Sequence, residues 1–344
     1  STSFISTNTG GDAGSVNIVT TGAVDIAYDI FAVGGTGTEG AKMGNGGSLT
    51  IRAGGSITIG SAIPLMLGGS PRSIETDGAQ IVSAEQTPGN GGAITLSGAS
   101  IALYQGASST GGDADLEEST STGGTGGAIT LTATGAVTIG SATTGDVVGL
   151  SSHGGFSLGG TGGDGGDISV TGDTIAFAAI NAAGGQTSGG TLGNGGDITL
   201  TATATSGAAV TIYGEADDAL TTDVSQIQAS FALSTGGATS GNITIQGGVG
   251  GASLLGTAFV QLVDNSVNAG AYGGATVEIA ALGSPGHGGT ISINGPIEGT
   301  SGTENLRLFA EDGQATITGK VGDQTPLNHL VLGCCGVDES GTPN

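Results

Sequence analysis

The chain alternates apolar and polar residues in a short phrase that recurs along most of its length. The phrase is usually a glycine pair followed by a strand-like segment, as in GNGGSLTI, GNGGAITL and GDGGDISV. Within each copy every second residue is Ile, Leu or Val, and the residue between them is mostly Thr or Ser. A period of two with one apolar face is typical of a strand buried on one side. The predicted strands begin after eight glycines: Gly14, Gly47, Gly92, Gly127, Gly166, Gly196, Gly241 and Gly289.

Two sets of apolar residues are predicted to face inward. The first set lies within the phrase itself: Val16, Ile18, Leu49, Ile51, Ile94, Leu96, Ile129, Leu131, Ile168, Val170, Ile198, Leu200, Ile243, Ile245, Ile291 and Ile293. A second strand follows a linker that is too short for a helical crossover, and its inward residues are Ile57, Ile59, Ile101, Leu103, Val137, Ile139, Ile175, Phe177, Val210 and Ile212.

The spacing between copies predicts a solenoid. Successive copies lie 30 to 48 residues apart, so the strand phrase is constant and the spacer varies. Each repeat has an apolar face that only a neighbouring repeat can bury. We therefore predict an all-β fold, a right-handed parallel β-helix whose spacers form the third side and glycine-rich, acidic loops. Residues 1–333 form one elongated domain of about eight repeats, and residues 334–344 form a tail with a cysteine pair.

The composition agrees with this architecture. Of 344 residues 74 are Gly, a content that suggests collagen or disorder. Collagen is excluded because Gly does not occupy every third position, and the alternating Ile, Val and Leu are not typical of disordered chains. The remaining explanation of the high glycine content is a set of glycine-rich turns between short strands.

The charge excludes several partners. The chain has 29 acidic and 5 basic residues, for a net charge of -24, so it cannot neutralise phosphates of nucleic acid. Anionic membrane surfaces are disfavoured for the same reason, and no apolar run is long enough for membrane insertion. We find no signal peptide at the start, so we expect a processed product or a piece of a longer chain.

The segment NLRLFAEDGQATITGKVGDQTPLNHLVLG, residues 305–333, carries a family resemblance. Its LRLFA, TITGKVG and PLNHLVL phrases resemble the filamentous-haemagglutinin-like repeats of large secreted bacterial proteins, especially cyanobacterial ones. The GNGG phrases resemble the same proteins. The resemblance implies a right-handed β-helix, export, and a role in adhesion, surface layers or extracellular fibres.

The predicted function is that of an extracellular structural subunit. A β-helix ends in an open rung with unpaired backbone groups, and stacking of identical molecules head to tail satisfies them. The residues expected at this assembly interface are Val16 and Ile18 at one end and Leu330 and Leu332 at the other. Cys334 and Cys335 follow the last rung, where an oxidising exterior would let them lock a junction.

Two alternatives belong to other functional classes. One is a monomeric adhesin that binds a surface or a cell-surface polysaccharide through its loops. The other is a polysaccharide-degrading β-helix enzyme. We predict no enzyme and assign no catalytic residue, because basic partners for the acids are scarce and the chain has no Trp and only 4 Tyr to hold sugars.

Calcium is the one candidate metal. The segment GGTGGD, residues 159–164, matches half of a calcium-binding nonapeptide and points to Asp164. Two acidic loops offer further hard oxygen ligands: Asp113, Asp115 and Glu117 in one, and Asp217 and Asp218 in the other. Ordinary solvated acidic loops and a glycine-rich corner remain the competing interpretations.

A row of outward threonines raises one more possibility. Thr50, Thr95, Thr130, Thr199 and Thr244 are predicted to line up on one face, as on an ice-binding β-helix. Thr is also common on any exposed strand. The variable spacers argue against a flat face, so we do not expect ice binding.

Overall fold

A computed structural model describes residues 10–37, 42–60, 74–82, 86–116, 121–140, 149–214, 233–247, 258–264, 276–284 and 286–333. These residues form strands, bends and turns, with no helix among them. The strands pair in parallel, each with the equivalent strand of the next coil, where a coil is one circuit through three strands. The fold is a parallel β-helix, as predicted.

The first five coils contain strands β1 to β15. These are β1 (Val16–Thr20), β2 (Val24–Ile26), β3 (Ile30–Phe31), β4 (Leu49–Ala53), β5 (Ile57–Ile59), β6 (Ile74–Glu75), β7 (Ile94–Gly98), β8 (Ile101–Leu103), β9 (Ala107–Ser108), β10 (Ile129–Ala133), β11 (Val137–Ile139), β12 (Gly149–Ser151), β13 (Ile168–Gly172), β14 (Ile175–Phe177) and β15 (Ala179–Asn181).

The remaining coils contain strands β16 to β26. These are β16 (Ile198–Ala202), β17 (Gly207–Gly214), β18 (Leu233–Gly236), β19 (Ile243–Gly247), β20 (Ala258–Asp264), β21 (Thr276–Leu282), β22 (Ile291–Asn294), β23 (Ile297–Glu298), β24 (Asn305–Phe309), β25 (Ala315–Ile317) and β26 (His329–Gly333).

Three parallel sheets form the sides of the β-helix. Sheet A runs β1-β4-β7-β10-β13-β16-β19-β22-β25, and sheet B runs β2-β5-β8-β11-β14-β17-β20-β23. Sheet C runs β3-β6-β9-β12-β15-β18-β21-β24-β26. Since sheet C is built from the segments between repeats, the prediction that the spacers supply the third side is confirmed.

The core is a set of aliphatic columns inside the three sheets. In sheet A, Leu49, Ile94, Ile129 and Ile168 stack in register and are fully buried or nearly so. In sheet B, Phe177 pairs with Ile139 and Ile212 in the same way. Successive strands lie about 4.8 Å apart, so each methyl group contacts its counterpart in the next coil. Both predicted sets of inward residues therefore face the core.

The described strands give sheet A nine members, one more than the eight predicted. The ninth is β25, which pairs with β22 through Ala315, Thr316 and Ile317. Its phrase, EDGQATI, has no glycine pair, so the glycine-based alignment missed it. Thr316 and Ile317, which match the Thr-Ile pairs of the other copies, were the sequence signal that could have identified this strand.

The glycine-rich segments between each strand of sheet C and the next strand of sheet A form a feature that the sequence did not predict. We call it the glycine flange: an outgoing arm after sheet C and a returning arm before sheet A. Backbone hydrogen bonds of 2.7 to 3.3 Å zigzag between the arms without a break, joining Gly11, Gly35, Gly44, Ala79, Gly89, Gly112, Gly124, Gly155, Gly163, Gly185, Gly193, Ala238 and Ser284. The flange therefore satisfies its buried backbone groups internally, as buried peptide groups must.

Close approach of backbones explains the glycines of this region. A Cβ built on Gly163 would overlap the carbonyl oxygen of Gly124, and one on Gly92 would overlap that of Gly47. Left-handed backbone angles serve a second role at the corners of the β-helix: Gly60 and Gly140 have φ of 85° and 80° where the chain leaves sheet B. The glycine pair of the repeated phrase thus serves packing between coils.

A small second core lies at the outer part of the flange. It contains buried Met43, Ala79, Ile81 and Ala114, with Leu116 packed against them. Short parallel bridges join Ala114 to Ser157 and Ser157 to Thr187 nearby. The flange is thus held by its own apolar contacts as well as by its hydrogen bonds.

Candidate functional site

Within the described part of the chain, the last strand leaves the apolar columns of sheet C open. Leu330 and Leu332 of β26 pair with the buried Leu306 and Leu308 of β24, so they continue the same columns. They are nevertheless 43% and 62% exposed, and Val331 between them is 43% exposed. These residues are the apolar surface that the sequence predicted for this end.

The first strands leave the opposite end partly open. Val16 and Ile18 of β1 pair with the buried Leu49 and Ile51 and are only half-buried. Phe31 of β3 is 51% exposed, and Tyr28, which precedes β3, is 68% exposed. This end repeats the chemistry of an interior coil, with aliphatic inward residues and a row of backbone groups along each outer strand.

The predicted interface residues are thus divided. Val16, Ile18, Leu330 and Leu332 lie on the end strands. Cys334 and Cys335, predicted to lock the junction, lie outside the described residues.

Asp164, the first calcium candidate, lies on the returning arm of the flange. Its Oδ1 accepts hydrogen bonds from the backbone N–H of Asn194 at 2.8 Å and from Asn194 Nδ2 at 3.0 Å. Asp113 Oδ1 likewise accepts the backbone N–H of Phe156 at 2.8 Å. Both carboxylates therefore bind the next coil.

Asp164 belongs to a wider pattern of side chains that tie one coil to the next. Asp12, Asn45 and Asn90 each accept the backbone N–H of the equivalent residue one coil on, at 2.8 to 2.9 Å. We call these residues and Asp164 the first Asx column. A second Asx column, Asp167, Asp197 and Asn242, does the same at 2.7 to 3.1 Å. The sequence signal was an Asp or Asn inside the repeated phrase for the first column, and an Asp or Asn directly after its last glycine for the second.

The remaining metal candidates are not brought together within the described chain. Asp115 is exposed. Glu117, Asp217 and Asp218 lie outside the described residues. Among the residues that are described, no group of three or more His, Cys, Asp or Glu side chains is placed to hold a metal ion. Calcium binding by the acidic loops stays a prediction.

Two buried acids support the last complete coil. Glu304 Oε1 accepts the backbone N–H groups of Thr300 and Ser301 at 3.0 and 2.9 Å, and Oε2 accepts that of Gly302 at 3.0 Å. Burial would raise the pKa of Glu304, but these hydrogen bonds outweigh it and lower the pKa to about 2. Glu298 Oε2 accepts the N–H groups of Gln324 and Thr325. Both acids hold turns near the open end.

The outer face of sheet A is regular, which the sequence did not lead us to expect. Thr95, Thr130, Ser169 and Thr199 pair directly across β7, β10, β13 and β16. The variable spacers, from which we argued against a flat face, do not interrupt this register. The reason is that sheet A is built from the repeated phrase, whereas the variable spacers form sheet C and the flange.

No protein-family model matches the chain, and neither the curated proteins nor the solved structures contain a match. The resemblance to filamentous-haemagglutinin-like repeats stays a prediction. The described part of the chain also has no helix of the length and apolarity that a membrane span requires.

Proposed function

We propose that this protein is a structural subunit that stacks end to end into an extracellular filament, sheath or surface layer. The observation that carries the proposal is the exposure of Leu330 and Leu332 on β26, in line with the buried columns of sheet C. Leaving three adjacent apolar side chains of an edge strand in water is unfavourable, and a long flat apolar edge strand is a site of strand pairing.

The opposite end offers the matching surface on a second copy. Interior coils pair Ile, Leu and Val with Ile, Leu and Val in register, and β1 presents Val16 and Ile18 in the same positions. A junction between β25 and β26 of one copy and β1 and β3 of the next would repeat the pairing that sheets A and C make between interior coils, while sheet B ends one strand earlier, at β23. Such a contact uses different surfaces on the two copies and does not close, so it propagates into a filament.

The net charge of -24 sets the conditions for this assembly. Repulsion between copies opposes stacking. At physiological ionic strength, dissolved salt screens the repulsion between exposed charges that lie more than about 8 Å apart. We expect stacking to strengthen as salt is raised. At equal ionic strength magnesium and calcium should act alike if screening is their only role, and an excess effect of calcium would point to the acidic loops.

A charged substitution at the open end tests the proposal. Leu332→Lys places an ammonium group on the exposed column and should leave single rods in sedimentation velocity, because stacking would bury that charge. Thr138→Lys is the matched control, since Thr138 faces outward in the middle of sheet B. The proposal fails if wild type remains monomeric in high salt, or if both variants associate as wild type does.

A further inference from the structure

The outer face of sheet A carries an uninterrupted array of hydroxyl groups. In β7, β10, β13 and β16 both outward positions are Thr or Ser, and each side chain is at least partly exposed. We call this array the hydroxyl face: Thr95, Ser97, Thr130, Thr132, Ser169, Thr171, Thr199 and Thr201. Every member pairs in register with the equivalent residue of the next strand.

Charge is scarce at the outward positions within the strands of sheet A, although the carboxylates of Asp167 and Asp197 lie at its border, just before β13 and β16, where each accepts a hydrogen bond from the next coil. Along all nine strands of sheet A, Arg52 is the one charged residue among the outward positions within the strands. The chain as a whole has 29 acidic residues. An uncharged face in such a chain suits a neutral partner, because a positively charged partner would bind the acidic residues elsewhere on the molecule.

The spacing of the array is fixed in two dimensions. Neighbouring hydroxyl positions lie about 4.8 Å apart between strands and about 6.6 Å apart along a strand. The two Asx columns border the face and tie its coils together through Asp164, Asp167 and Asp197. The register shift among the described strand pairs lies in sheet B, between Ala208 and Val210, and leaves sheet A regular.

We propose that the hydroxyl face binds ice. Threonine presents a hydroxyl that hydrogen-bonds water and a methyl group that does not, so a rigid lattice of both holds water molecules in fixed positions. Water held at these positions joins a growing ice surface with little rearrangement.

A crystalline polysaccharide is the other periodic, neutral surface. Sugar rings are held in proteins by aromatic side chains, whose rings supply large apolar contact area. The outward positions of the strands of sheet A contain no aromatic residue. The absence of aromatics favours ordered water over a sugar lattice.

The test is partition into slowly growing ice on a cold finger, with the protein in ice and liquid compared by gel. Wild type is expected in the ice. Thr130→Tyr and Thr199→Tyr should be excluded, because a bulky ring breaks the lattice. Thr138→Tyr, on the outside of sheet B, is the matched control and should enter the ice. All three positions face outward, so the variants are expected to keep the wild-type melting temperature.

Exclusion of wild type from the ice would overturn the proposal, and so would equal partition of all four proteins. Binding of wild type to microcrystalline cellulose or chitin without enrichment in ice would also overturn it, in favour of a polysaccharide. The assay on wild type decides the question even if a tyrosine variant unfolds. Filament assembly is scored separately, so failure of one proposal leaves the other standing.

Discussion

Glycine contributes to this fold mainly through its lack of a side chain. In the flange successive coils approach until a Cβ would overlap a carbonyl of the same arm in the preceding coil, as at Gly124, Gly155 and Gly163. These residues give up conformational freedom on folding, a cost that each backbone hydrogen bond between the arms offsets.

Gly163→Ala tests this packing. The added methyl group would overlap the carbonyl of Gly124, so we expect a loss of about 1–3 kcal/mol in the free energy of unfolding, as for other overpacked sites. Gly189→Ala is the control: its nearest contact is Leu158 O at 3.6 Å, and its φ is not in the left-handed region. Urea unfolding followed by circular dichroism measures both. Equal stability of the two variants would contradict the close packing.

Glu304 predicts a pH dependence at one site. Its folded pKa of about 2 lies below the usual 4.5, so the charged form stabilises the fold above pH 4.5, and that contribution is lost as pH falls towards 2. Glu304→Gln replaces an accepting oxygen with a donor and should be less stable than wild type near neutral pH. The difference in melting temperature should shrink as the solution is acidified. A difference that does not change with pH would argue against a charged Glu304.

At the scale of elements, side-chain hydrogen bonds add to the backbone pairing that joins one coil to the next. Asp164 accepts from the backbone and side chain of Asn194 on the next coil. The six-residue segment GGTGGD that ends at Asp164 matches half of a calcium-binding nonapeptide, yet the same carboxylate has a structural partner. Hydrogen bonding and metal binding make different predictions for this residue.

Asp164→Ala should lower the free energy of unfolding by about 1 kcal/mol, the typical net value of a lost hydrogen bond. Asp164→Asn keeps an accepting oxygen and should stay close to wild type. Thermal melts with and without calcium measure both variants. Calcium that stabilises wild type but neither variant would contradict the structural role and support a metal site.

Much of the element scale was predictable from sequence. The period-two phrase identified sheets A and B, because strands such as β10 and β11 bury every second residue. The strand β25 was missed, since its coil lacks the glycine pair. The flange was unpredictable from local pattern, because its hydrogen bonds join residues such as Gly89 and Gly112 that only the stacked coils bring together.

The candidate site was predicted in part. The open columns at Leu330 and Leu332 followed from the repeat itself, since the last copy has no successor within the described residues. The regularity of the hydroxyl face did not, because the variable spacing of the copies concealed that every insertion falls outside β7, β10, β13 and β16. The spacing between copies along the chain therefore did not predict the regular register of sheet A.

At the scale of the whole molecule, the described residues form a column of nine rungs in sheets A and C, and its two ends repeat the chemistry of its interior. The proposed stacking would extend these sheets from one copy to the next, with an axial repeat of about 43 Å for nine rungs. The apolar edge at β26 and the half-buried edge at β1 are the surfaces that this arrangement covers.

Electron cryomicroscopy of the wild-type protein in high salt tests this account most directly. It predicts unbranched filaments with an axial repeat of about 43 Å and parallel sheets that continue through each junction between β26 and the next first coil. Single rods at every salt and protein concentration would contradict the account, as would filaments whose subunits join side by side with both ends free.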